Sequence, residues 1–177
     1  MSQSATLYRI SEDDFLQLKN LEDRRNPNII AKSDANFQGS FCGGIEFVLS
    51  KGRDKTIVEL INQIFAPGKG LGQEEFDSLP IEGKFDLIES GNYIPYHDHI
   101  VITNINNFLV NISENTVHEN YNSKELNEKN IYPCIWHDDE SPDKAYNKRH
   151  IIEDVLQLKN IFQEAYNEKD YILVYTG

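Results

Sequence analysis

The residues best suited to chemistry are histidines and carboxylates in two short stretches of the 177-residue chain: Tyr96-His97-Asp98-His99 and His137-Asp138-Asp139-Glu140. If the first stretch is extended, alternate residues share a face, and His97 and His99 offer two imidazoles to one metal ion. His137 and Asp139 would complete a four-ligand set if the fold brought the two stretches together, with Glu140 beside them as a general base. That is the pattern of a metal-dependent hydrolase. The competing reading is a polar strand end and a solvated acidic loop. H-x-H is too short a motif to decide between them.

Other candidates are weaker. Gly68-Lys-Gly-Leu-Gly72 has neither the spacing nor the strand-to-helix setting of a phosphate-binding loop, and reads as a helix end and turn. Cys42 and Cys134 lie far apart outside any C-x-x-C pair, and Cys134, between Pro133 and Ile135, reads as a small core residue. There is no G-x-S-x-G and no H-E-x-x-H. The aromatic residues Tyr93, Tyr96, Tyr132, Trp136 and Tyr146 suit a core, a pocket or an interface. Trp136, next to the charged stretch, is the one to expect at a contact surface together with Asp138 and Glu140. No cofactor is implied.

Charge narrows the partners. Acidic residues number 29 and basic residues 17, a formal net charge of -12. Such a field repels nucleic acid and anionic membrane and attracts a basic protein. Arg24-Arg25 and Lys148-Arg149 are too sparse for a nucleic-acid footprint. Neither a secretory leader nor an apolar stretch of about 20 residues is visible, which points to the cytoplasm. Nine Tyr and nine Phe argue for a folded core in spite of a hydrophobic content of 39%.

These groups must be positioned by a single domain spanning residues 1–177. Thr6–Ile10 reads as a strand, and Ser11 with Asp14 begins a helix that buries Phe15, Leu18 and Leu21. Asp23–Gln38 reads as a surface connection. A helix near Ser40 buries Ile45, Val48 and Leu49; Gly43 and Gly44 weaken it unless it begins after them or packs closely on a neighbour. Thr56 and Glu59 form a capping box for a helix carrying Leu60, Ile61, Ile64 and Phe65. Phe85–Ile88 fits a strand or short helix, Tyr93–Ile102 an extended segment, and Thr103 a cap for a helix with Ile105, Phe108, Leu109 and Ile112. Ser123–Lys129 is a short helix.

The clearest pattern is the stripe Ile151, Val155, Leu158, Phe162 and Ala165 on one long helix, with Pro142 near its start. Asn167–Asp170 then turns the chain into Tyr171-Ile-Leu-Val-Tyr175, apolar enough for a strand inside a sheet. The expected fold is α+β: a small mixed sheet packed against several helices, with the long C-terminal helix and final strand closing it.

Leu126-Asn-Glu128, Ile131-Tyr-Pro133, an acidic loop, the long helix with Phe162 and Ala165-Tyr166, and the closing strand together resemble the bacterial YfbM-like family. Leu7–Leu21, Ile45–Gly52 and Ile57–Gly72 are similar at the front, whereas Gln73–Ser113 matches poorly. Where that family carries Gly after Tyr-Pro this chain has Cys134, which puts a tight turn there in question. The resemblance implies a compact intracellular α+β domain with no assigned catalytic residues. The function expected is a non-catalytic acidic binding domain with a basic protein partner, an immunity-type toxin inhibitor being its concrete version. The alternative is the metal-dependent enzyme.

Overall fold

The computed structural model describes residues 4–20, 30–41 and 43–177. In chain order the elements are β1 (Ser4–Ile10), α1 (Glu12–Lys19), β2 (Ser33–Gln38), α2 (Gly44–Ser50), α3 (Lys55–Asn62), β3 (Lys69–Leu71), α4 (Gln73–Ser78), α5 (Ile81–Glu89), β4 (Ile94–His97), α6 (His99–Leu109), α7 (Glu114–Asn120), α8 (Ser123–Glu128), α9 (Lys148–Glu168) and β5 (Tyr171–Thr176). The strands form one sheet in the order β2-β1-β5-β4-β3. Every pairing in it is antiparallel, so the fold is α+β as expected but the sheet is not mixed.

β5 is the central strand, and its composition follows from that place. Ile172 and Val174 face the main core with Ala5 and Leu7 of the adjacent β1 and Ala35 and Phe37 of β2 beyond it. Leu173 faces the other side, where Ile10, Ile94 and Leu71 meet Phe15 and Leu18 of α1. A strand buried on both faces has no room for alternating polarity, hence the unbroken apolar run. The α9 stripe lies on the main-core face, with Ile151, Leu158, Phe162 and Ala165 fully buried and Val155 nearly so. Its C-terminus closes at Lys169, whose left-handed backbone (φ 55°) lets Asp170 N donate to Ala165 O at 3.0 Å.

Local chemistry sets the other boundaries. Ser11 accepts from Asp14 N as expected. Asp54, not Thr56, caps α3 by accepting from Ile57 N at 3.1 Å. Asn147 caps α9, so Pro142 lies in the preceding loop and plays no part in the helix start. The expected connection at 23–38 ends in a strand: in Ser33–Gln38 only Ala35 and Phe37 are buried, since an edge strand with one covered face needs no more. Leu21 and residues 23–29 lie outside the described residues. Gly68–Gly72 contains β3, where Gly70 is required because a Cβ there would stand 2.2 Å from the Tyr93 ring. Phe85–Ile88 is helical, and α7, capped by Ser113, arises where the sequence suggested no element.

The segment 93–102 divides in two. Asp98 Oδ1 accepts from the backbone N–H groups of Ile100 and Val101, both at 3.1 Å, and so starts α6 at His99. Thr103 is therefore inside that helix and donates its hydroxyl to His99 O instead of capping.

Candidate functional site

The start of α6 undoes the expected metal site. His97 ends β4 and His99 begins a helix, so the alternation that put both imidazoles on one face is lost. The His97 ring is 1% exposed; its Nε2 donates to Ile64 O at 3.0 Å, and its buried Nδ1 has no partner among the described residues. Burial pushes its pKa down to about 4, so it is neutral. His99 instead lies against Tyr171, ring centroids 4.4 Å apart. Asp139 accepts from both the backbone and the hydroxyl of Ser141, and those bonds hold its carboxyl below the usual range. Glu140 is paired with Lys148 Nζ at 2.8 Å. Among the described residues no three His, Cys, Asp or Glu side chains gather closely enough to hold a metal ion, so His97, His99, His137 and Asp139 form no such site.

The segment from Ile131 to Trp136 is structural. Cys134 N donates to Ile131 O at 2.9 Å across a cis Tyr132–Pro133 bond, so the tight turn forms, with Cys134 at φ 63° and exposed to solvent instead of in the core. Trp136 is buried, 3% exposed, and presents no ring to a partner. Its Nε1 donates to Ile131 O at 3.0 Å, and the Asn127 carboxamide brackets its backbone with bonds of 2.7 and 2.9 Å. Asn147, fully buried, donates to Asp139 O and Lys144 O and ties the acidic loop to the start of α9. Asp138 and Glu140 remain on the surface.

Two acids are buried among the described residues, Asp170 beside Arg9 and Lys32 and Asp154 without a cation, and the second escaped the sequence reading. Ser40 Oγ donates to Asp154 Oδ2 at 2.5 Å, and both residues are buried. Desolvation pushes the Asp154 carboxyl up to about 6. The signal was present: Asp154 sits between Ile151 and Val155 on the core side of α9. The fully buried Ser40 leaves this pair without access to a substrate.

The surface offers two other features. In the excursion from β3 to β4, α5 leaves Ile81, Phe85 and Ile88 exposed by 74%, 61% and 44%. At helical spacing these form one stripe, and Glu82, Asp86 and Glu89 run along one edge of it. Leu87 holds the opposite side to the protein. With Glu74, Glu75 and Asp77 of α4 the excursion carries six carboxylates, against a single cation, Lys84, which lies 4.8 Å over the Phe76 ring. Sequence periodicity alone would have assigned the stripe to the core. The second feature is a groove of ≈ 720 Å³ between α3 and α6, floored by Ile57, Leu60 and Phe108 and edged by carboxamides.

No helix among the described residues is long and apolar enough to cross a membrane. No curated protein matches the chain. The crystal structure of YfbM, a protein of unknown function from Escherichia coli, is similar over 98% of both chains with a TM-score of 0.60 at 12% identity, which is a likeness of fold. The profile of the family described as domain of unknown function DUF1877 matches residues 1–175, and the chain belongs to that family.

Proposed function

We propose that this is a non-catalytic binding domain that captures a basic protein partner on α5. The observation that carries the reading is the exposed Ile81-Phe85-Ile88 stripe with carboxylates along its edge. Three large apolar side chains left in water on one helix face are a cost that a binding surface offsets when it is covered. The carboxylates select what covers it: a second copy would bring six more negative charges to the same face, and anionic lipid is repelled likewise. The complementary partner is an amphipathic surface with Lys or Arg around apolar residues. An immunity-type inhibitor of a basic toxin is the concrete form of this reading. The exposed thiol of Cys134 fits a reducing cytoplasm.

The test uses an amphipathic Lys/Leu helical peptide and a scrambled peptide of the same composition, titrated at low and high salt. Selective binding of the amphipathic peptide, weakened by salt and by Phe85→Ser with Ile88→Ser, is the expected result. Equal binding of both peptides, or binding indifferent to the serine substitutions, overturns the reading.

A further inference from the structure

We infer that the groove between α3 and α6 is a binding site for a neutral, polyhydroxylated ligand of about disaccharide size. Its volume of ≈ 720 Å³ falls among those that hold small molecules. Asn104 and Asn107 lie one turn apart on α6, Asn111 follows just past its end, and Gln63, which ends α3, lines the groove with them. The side chains of Gln63, Asn104 and Asn107 have no protein hydrogen-bond partner among the described residues, while Asn111 donates to Asn107 O at 2.7 Å. Asn104 and Asn107 stand about 4.5 Å apart at helical rise, and Asn111, beyond the end of α6, continues the row past that pair.

The chemistry selects hydroxyls. A carboxamide both donates and accepts, as a sugar hydroxyl does, whereas a phosphate or carboxylate only accepts. Among the described residues that line the groove the ionised groups are Arg53 and Glu59, and Glu59 also pairs with Lys55 at 3.6 Å, so a single cation faces the groove. The guanidinium lies 5.8 Å over the Phe108 ring, in a chain of net charge -12. An anionic ligand therefore lacks an adequate counter-charge and a flat heteroaromatic one lacks a free aromatic face. Leu60 and Ile57 provide an aliphatic floor suited to the C–H face of a pyranose. The site is independent of the α5 surface.

The experiment follows the side-chain amide resonances of Gln63, Asn104, Asn107 and Asn111 while maltose, cellobiose and diacetylchitobiose are added separately, with adenosine as a comparison. Saturable shifts with at least one disaccharide, and a loss of affinity of about tenfold or more in Asn104→Ala with Asn107→Ala, are expected. Both residues are exposed, so the fold is retained, and circular dichroism verifies it. Absence of shifts with every disaccharide, an unchanged affinity in the double variant, or shifts with adenosine alone overturns the inference.

Discussion

Gly44 lies directly against the indole of Trp136: a Cβ at Gly44 would stand 2.5 Å from Cη2 and 2.6 Å from Cζ2. The contact joins the first turn of α2 to the loop that precedes α9, and it explains a glycine whose helical cost is otherwise unrewarded. Gly44→Ala is expected to destabilise by about 1–3 kcal/mol through overpacking, and by less in a Trp136→Phe background, where the smaller ring makes room. Urea unfolding of the four proteins measures the coupling; equal costs in both backgrounds would falsify the contact.

Two buried groups pull stability in opposite directions with pH. Asp154 titrates at about 6 in the fold, above its ordinary 3.8, because of burial and the neighbouring Glu153, in spite of its bond from Ser40. Stability from this group is fully present below pH 3.8 and is lost as pH rises through 6, an amount on the order of 3 kcal/mol. His97 titrates at about 4, below its ordinary 6.5, through burial, although the Ile64 carbonyl and Asp98 favour its charged form. Its stability is present above pH 6.5 and lost as pH falls toward 4, again on the order of 3 kcal/mol. Asp154→Asn should therefore make stability rise with pH between 4 and 6.5, and His97→Gln should make it fall. Parallel urea-midpoint profiles for wild type and Asp154→Asn would contradict the assignment.

Asp170 ties the end of α9 to the sheet. It receives Arg9 Nη1 at 2.7 Å and Lys32 Nζ at 2.8 Å, while Arg9 also reaches Glu164 at 3.1 Å. The Asp170 side chain is 2% exposed and that of Arg9 12%, so Asp170→Ala strands buried cationic charge and should cost about 3–5 kcal/mol. Lys32, 37% exposed, is mostly screened, and Lys32→Met should cost less than about 1 kcal/mol. Comparable losses in the two variants would show that the pair with Arg9 is not the dominant one.

Cys134 occupies a left-handed backbone position that a glycine adopts freely. Cys134→Gly is expected to stabilise by up to about 1 kcal/mol in denaturant unfolding, offset in part by the greater freedom of glycine in the unfolded chain. In the native protein the thiol should react with a disulfide reagent without prior unfolding. A thiol that reacts only in denaturant would contradict its exposure.

Phe85 is the sharpest test of the α5 stripe as a surface and not a core element. At 61% exposed, Phe85→Ser should change stability by no more than about 0.5 kcal/mol. Leu87→Ser on the buried side of the same helix should cost about 2 kcal/mol or more. A large loss at Phe85 would mean the stripe is covered within the protein.

Patterns written along the chain were readable from sequence. The α9 stripe, the Ser11 cap and the apolar run of β5 depend on neighbours three, four or two residues away, and local spacing specifies them. The α+β class followed from these. Tertiary structure decided everything that depends on which segment lies opposite. β2 became a strand because β1 was there to pair with Ala35 and Phe37 on one face. Asp98 capped a helix and so sent His97 into the core and His99 toward Tyr171, dissolving a metal site that sequence spacing had suggested. Periodicity reports that Ile81, Phe85 and Ile88 share a face, but not whether anything covers that face. Covering requires contact with residues remote in sequence, and no local pattern encodes that contact.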